Sequence, residues 1–176
     1  MEVGSESHLS SICVSCGMCC DGTLFSKAVV RGQADEALAL SLGLETFQVE
    51  STLYFRLPCH HFKGCCTVYD QARPHTCGAY FCKPLRMVKQ GVLALDMARE
   101  TIEKVLSARA EILAIAAELS DYKDYSIHAL MAEIRPEPTT KIKQYPSLWL
   151  KMIGFQVMCA RIASSDEPAN GEKTDN

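Results

Sequence analysis

Residues 13–20 read CVSCGMCC, a run in which four cysteines follow the spacing C-x2-C-x2-C-C. Two residues between successive cysteines allow a tight turn to direct both sulfurs at one metal ion, and Gly17 supplies the conformational freedom that such a turn needs. A second group of cysteines follows at positions 59, 65, 66, 77 and 82. Nine of the ten cysteines therefore lie before residue 83, and we expect the chemistry of the protein in this half of the chain.

The composition predicts an ordinary globular chain that needs no disulfides. The 176 residues are 48% hydrophobic and 22% charged, which suffices for about one domain with its own core. A formal charge of -3, with 18 basic and 21 acidic residues, offers no basic surface for nucleic acid. No stretch approaches the roughly 20 consecutive apolar residues of a membrane span, and the first residues do not resemble an export signal. We therefore expect a cytoplasmic protein with reduced thiols, in which ten cysteines indicate metal ligation.

The two Cys-Cys pairs constrain how the ligands are shared. Adjacent side chains of an extended peptide point to opposite sides, so Cys19 and Cys20 are expected to face two neighbouring sites, or one site and its surroundings. The same reasoning makes only one of Cys65 and Cys66 a ligand. Thiolates favour zinc, copper(I) or iron–sulfur clusters over magnesium and calcium. The spacing departs from the ferredoxin run at the fourth cysteine and lacks the paired histidines of zinc fingers, so zinc and iron both remain candidates.

The cysteine segments together resemble a known family. The patterns C-x2-C-G-x-C-C-x-G-T-L-F at residues 13–25, Pro-Cys at 58–59 and C-T-V-Y-x3-R-P-x2-C-x4-C at 66–82 are similar to those of the CxxCxxCC family of zinc- or iron-chelating proteins, also called the YkgJ cysteine-cluster family. The resemblance covers residues 13–86 and implies metal chelation, with no assigned reaction. The ligands that it implies are Cys13, Cys16, Cys19, Cys20, Cys59, Cys66, Cys77 and Cys82.

The chain departs from the family pattern at three positions. Cys65 and Cys159 are additional cysteines, and Gly78 stands where the family usually has arginine. We expect Cys159 to be a buried apolar thiol. Some relatives resemble flagellin lysine N-methylases, but this chain is short for such an enzyme and has no glycine-rich cofactor loop after a predicted strand.

Charged and aromatic residues near the cysteines are predicted to support a metal site. Several thiolates accumulate negative charge, which cations within the cysteine segments can offset. We expect Arg73 beside the ligands, with an exposed or loop-bracing arginine as the alternative. The family pattern adds Tyr69, for which a core aromatic with a hydrogen-bonded hydroxyl is the alternative. The other cations of these segments are Lys63, Lys83 and Arg86. The cysteines fill the ligand count, so surface or capping roles are expected for His60, His61 and His75.

Local patterns predict a mainly α fold with an irregular, metal-stapled, cysteine-rich N-terminal half and at most a small β-hairpin. In the first half, helix formers over 34–42 end at Gly43, and alternation predicts a strand over 52–57 with 24–30 as a weak pairing partner. In the second half, helices are predicted from about 96 to 119, over 126–134 and over 146–163.

The predicted elements divide the chain into four parts. The polar ends, residues 1–11 and 164–176, are expected to be disordered. Between them, a cysteine-rich metal-binding region covers 12–90, and a helical region that packs on it covers 91–163.

These features lead to one main functional hypothesis and two alternatives. The main hypothesis is a metal-binding protein with no assigned reaction, which holds zinc or iron, including iron in an iron–sulfur cluster. One alternative is a redox or methyltransferase-related enzyme that uses the metal centre. The other is a thiol redox sensor or metal carrier, in which the Cys19–Cys20 and Cys65–Cys66 pairs oxidise or exchange metal. The C-terminal helices are expected to pack on the cysteine region or to bind another protein or a second copy.

Overall fold

The computed structural model describes residues 3–134 and 142–163. Its helices are α1 (Val3–Cys16), α2 (Gly32–Ser41), α3 (His75–Ala79), α4 (Lys83–Lys89), α5 (Leu95–Ala117), α6 (Ile127–Ile134) and α7 (Pro146–Ala163). Its strands are β1 (Lys27–Val29), β2 (Thr46–Val49) and β3 (Thr52–Arg56). The described chain is therefore mainly helical with a small antiparallel sheet, which confirms the mainly α part of the predicted fold class.

The main core lies between the long helix α5 and the last helix α7. Buried residues of α5 recur at spacings of three, four and seven positions, which keeps them on one face and confirms the predicted apolar face. They are Ala98, Ile102, Val105, Ile112 and Ala116. From α7, the large side chains Trp149, Met152 and Phe155 are fully buried against this face. Leu9 of α1 and Leu85 of α4 complete the same core, so the cysteine segments at the ends of α1 and α4 are anchored to it.

The sheet has the strand order β1-β3-β2, with β3 antiparallel to both neighbours. Phe55 of β3 and Leu57 just after it are buried in a second, smaller core with Val30, Ala39 and Leu44. The prediction of at most a hairpin is corrected by β2, which adds a third strand. The residues of β2 are half-buried or exposed, so they show no alternation that would reveal a strand from sequence.

The N-terminal segment differs from the prediction of disorder over 1–11, because α1 begins at Val3. Leu9 and Ile12 are buried in the main core, so tertiary packing stabilises a helix whose polar composition hides it. The predicted disordered tail over 164–176 lies outside the described residues. Within residues 3–134 and 142–163, we find no helix of the length and apolarity that a membrane span requires.

Candidate metal centre

A cavity of about 430 Å³ is lined by residues of both cores and by eight of the ten cysteines. The eight are Cys13, Cys16, Cys19, Cys20, Cys59, Cys66, Cys77 and Cys82, the set that the family resemblance implies. The other two, Cys65 and Cys159, do not line it. Cys65 is exposed, as is Cys77 of the lining set, and Cys159 is buried in the main core. Of the adjacent pair Cys65 and Cys66, only Cys66 therefore faces the cavity. All ten cysteines are free thiols.

A tight turn after α1 brings the first cysteines to the cavity. Cys13 and Cys16 lie three residues apart at the end of α1, which places them on one side of the helix. Gly17 follows with φ = 64°, a left-handed conformation that favours glycine at the end of a helix. The N–H groups of Cys20 and Asp21 both donate to the Gly17 carbonyl, at 2.8 and 2.9 Å. The chain thereby folds back and directs the Cys19–Cys20 pair toward the cavity.

The turn is joined directly to the second cysteine segment. The Cys59 N–H donates to the Cys20 carbonyl at 2.7 Å. The ring of Phe62 lies so close to Gly17 that a Cβ atom there would be 1.9 Å from its Cζ. Within the segment, Phe62 pairs with Cys66 and donates its N–H to the Cys59 carbonyl at 3.0 Å. A backbone hydrogen bond and the packing of the Phe62 ring on Gly17 therefore hold the two cysteine segments together.

The buried carboxylate of Asp35 fixes the third cysteine segment. This side chain, 8% exposed on α2, accepts hydrogen bonds from the N–H of Arg31 at 2.8 Å and from the N–H of His75 at 2.6 Å. Thr76 adds a hydrogen bond from its Oγ1 to a carbonyl of β1 at 2.7 Å. The start of α3 is thus tied to both α2 and the sheet, which positions Cys77 at the cavity.

Burial raises the pKa of most of the lining thiols. It is the largest influence on Cys13 and Cys20, whose pKa rises to about 12, and on Cys77, whose pKa rises to about 11, from an ordinary 9.0. Negative charge on neighbouring thiols adds to each of these rises. Burial also raises the pKa values of Cys16, Cys19, Cys59 and Cys82. Without a cation, these thiols are neutral at pH 7.

Backbone N–H groups oppose burial at three of the thiols. Burial raises the pKa of Cys16, and the Met18 N–H lowers it. The same opposition holds at Cys82, where the Leu85 N–H bonds to the sulfur at the start of α4. At Cys59 it comes from the N–H groups of the following turn. Because such hydrogen bonds stabilise the charged form, the backbone favours thiolates at these positions.

The structure places both predicted neighbours, Arg73 and Tyr69, at the wall of the cavity. The Arg73 guanidinium lies over the Tyr69 ring, 4.0 Å from the ring centroid. Its positive charge lowers the pKa of Cys13 and of Cys77, against the larger effect of burial. The Lys63 side chain, in contrast, is exposed and does not line the cavity.

The three histidines near the cysteines lie in different surroundings. His61 lines the cavity, and its Nε2 lies 2.9 Å from the Leu42 carbonyl oxygen. His60 and His75 are exposed. The Nε2 atom of His61 and the backbone N–H of His75 thus both have hydrogen-bond partners away from the cysteines. The side chains of His60 and His75 lie at the surface.

Sequence reasoning missed a charge pair that joins the cysteine turn to α5. Asp21 and Arg109 form an ion pair whose side chains are only 18% and 22% exposed. The Arg109 charge lowers the pKa of Cys16, which burial raises. One signal was present in the sequence, because Arg109 occupies the apolar stripe of α5, between Val105 and Ile112. An arginine on a buried stripe indicates a partner, although not which one.

The lining thiols share a cavity without forming a ligand set as they stand. In the described part of the chain, no group of three or more histidine, cysteine, aspartate or glutamate side chains has the arrangement that holds a metal ion. Comparison with family models, with curated proteins and with solved structures gave no match to this chain. The resemblance to the CxxCxxCC family therefore stays a prediction based on cysteine spacing.

Proposed function

We propose that this protein binds a soft metal, zinc or iron, through cysteine thiolates at the cavity between its two cores. The strongest support is that the eight cysteines of the family pattern all line one cavity. The two cysteines outside that pattern, Cys65 and Cys159, do not line it. Thiolates select zinc, copper(I) and iron–sulfur clusters over hard cations. Eight sulfurs exceed the four that one zinc ion or one four-iron cluster requires.

The donor chemistry of the cavity fits such a metal. Among its lining residues in the described chain there is no aspartate or glutamate, so thiols are the main anionic donors. Arg73 and Lys27 also line it and would offset the charge of thiolates. Binding would require cysteine side chains to move toward a shared centre, and rotation about χ1 is one way in which they can do so.

A bound metal would cross-link segments that belong to different cores. The first cysteines extend from α1 in the main core, whereas Cys59 follows β3 and packs on the smaller core. When the ligands come from separate segments, the site exists only in the folded chain, so the free energy of metal binding adds to the stability of the fold. We therefore expect chelation to loosen the cysteine segments while α5 and α7 keep most of their helical signal, measured by near- and far-UV circular dichroism.

The thiol-sensor alternative receives less support from the site. Reactive cysteines have lowered pKa values and solvent access. Burial instead raises the pKa of Cys20 to about 12 and places that of Cys19 well above its ordinary value. The vicinal pair is therefore poorly suited to fast oxidation in the metal-free protein.

The test is anaerobic purification followed by elemental analysis and an absorption spectrum on the same sample. Iron with sulfide and a broad visible band would indicate a cluster, and a colourless protein with zinc would indicate a thiolate site. A matched control replaces the two cysteines outside the cavity, Cys65→Ser and Cys159→Ser, and should keep its metal. A reduced wild-type protein that retains no metal after loading with zinc or iron would refute the proposal.

A further inference from the structure

Adjacent Cys19 and Cys20 have different neighbours. Burial is the largest cause of the raised pKa of each thiol. The neighbouring thiols that raise the pKa further are different for Cys19 and for Cys20. Besides Cys20, the thiols acting on Cys19 are Cys16, Cys82 and Cys13. Those acting on Cys20 are Cys77, Cys59 and Cys66. The two thiols therefore lie in different electrostatic surroundings, and the packing of the chain shows what these surroundings are.

The remaining cysteines divide in the same way. Burial has the largest effect on the pKa of Cys13, and the thiols of Cys82 and Cys16 raise it further. Cys16 also raises the pKa of Cys82. In the other group, Cys66 raises the pKa of Cys59, and both raise the pKa of Cys77. Among the described thiols with a shifted pKa, the main influence across the two groups is that of Cys20 on Cys19.

The packing of the chain agrees with this division independently. Cys13, Cys16 and Cys82 pack against the main helical core. Cys59 packs against the smaller core, and its N–H bonds to the Cys20 carbonyl. The segment of Cys66 folds back on the residues after Cys59, and the helix of Cys77 is tied to β1. One group therefore belongs to the helical part and the other to the sheet, with the Cys19–Cys20 peptide between them.

We infer that the cavity contains two metal sites, one formed by Cys13, Cys16, Cys19 and Cys82 and the other by Cys20, Cys59, Cys66 and Cys77. This inference rests on the proposed function and specifies its stoichiometry. Four thiolates complete a tetrahedral zinc site or hold one four-iron cluster. Arg73 acts on a thiol of each group, Cys13 and Cys77, and so lies where it can offset the charge of both sites.

Paired substitutions distinguish two sites from one shared site. The two same-site variants are Cys13→Ser with Cys82→Ser, and Cys59→Ser with Cys77→Ser. The mixed variant is Cys82→Ser with Cys77→Ser. Native mass spectrometry of zinc-loaded protein should give two zinc ions for the wild type, one for each same-site variant and none held tightly by the mixed variant. Cys65→Ser with Cys159→Ser is the matched control and should keep two.

The outcomes separate this inference from the proposed function. Equal loss of zinc in all three paired variants, or one zinc per wild-type chain, would overturn the two-site inference while leaving metal binding intact. A wild type without bound zinc or iron would overturn both. If paired variants do not fold, cobalt(II) titration of the wild type provides the test. Sulfur-to-cobalt charge-transfer absorption should rise to two equivalents, and saturation at one would overturn the inference.

Discussion

Replacing Gly17 with alanine tests whether the contact between the two cysteine segments shapes the cavity. Two costs are expected. Holding a residue with a Cβ at φ = 64° costs about 1–2 kcal/mol. The new Cβ would also lie 1.9 Å from the Phe62 ring, and displacing that ring adds about 1–3 kcal/mol of overpacking. The free energy of unfolding should therefore fall by about 2–5 kcal/mol, a large part of the stability of a small domain.

Urea denaturation of the reduced protein without added chelator, followed by near- and far-UV circular dichroism, measures this change. Gly91→Ala is the matched control, because Gly91 also has positive φ (71°) but no atom lies within 4 Å of an added Cβ. It should lose only about 1–2 kcal/mol. In a Phe62→Ala background, Gly17→Ala should cost no more than this control, which gives a coupling of about 1–3 kcal/mol. Equal costs for Gly17→Ala and Gly91→Ala, or no coupling to Phe62, would refute the reasoning.

Three further predictions concern charge. Burial raises the pKa of Cys159 from 9.0 to about 12, so the folded chain keeps a proton that the unfolded chain loses above pH 9. Stability should fall as pH rises from about 9 to 12. Cys159→Ala should make that slope less steep in denaturation curves without removing it, because the lining thiols also have raised pKa values. An unchanged slope would contradict the assignment. Neutral lining thiols must lose protons on metal binding, so zinc affinity should fall as pH decreases. Calorimetry in buffers of different ionisation enthalpy should detect about four protons released per ion, and fewer than two would exclude tetrathiolate ligation. Arg73→Gln should weaken zinc binding about tenfold or more, with exposed Lys63→Gln as the neutral control. Equal affinities of these two variants in a chelator competition would argue against a role for Arg73.

Helices were predictable from sequence where their apolar residues recur over many turns. The last helix has the predicted bounds, and α5 begins one residue before and ends two residues before its predicted limits. β2 was not predictable, because it depends on contacts with β3, such as Phe47 stacked on Tyr54 at 5.9 Å between ring centroids. α1 was missed for the same reason, since its buried Leu9 and Ile12 are recognisable only from the core they join.

The family resemblance, rather than spacing alone, named the cysteines that line the cavity, and it did not say which of them lie near each other. The eight lining cysteines were named from the family pattern, and opposite faces for Cys19 and Cys20 were expected from local geometry. Which cysteines join each of them depends on how segments separated by tens of residues meet, and no local pattern encodes this. The Asp21–Arg109 pair, 88 residues apart, escaped prediction because each residue alone resembles an ordinary charge.

The two arginines near the thiols differ in how their charge is balanced. Arg109 is paired with Asp21, so its charge is largely neutralised and mainly anchors the cysteine turn to α5. Arg73 is half-buried over Tyr69 and has no carboxylate partner among the described residues. A partly desolvated cation without an anion is unfavourable unless negative charge develops nearby. Four thiolates around one zinc ion leave a net charge of about -2. If the cavity binds a metal as proposed, its thiolates would supply this missing charge beside Arg73, and that is why the effect of Arg73→Gln should appear in zinc affinity.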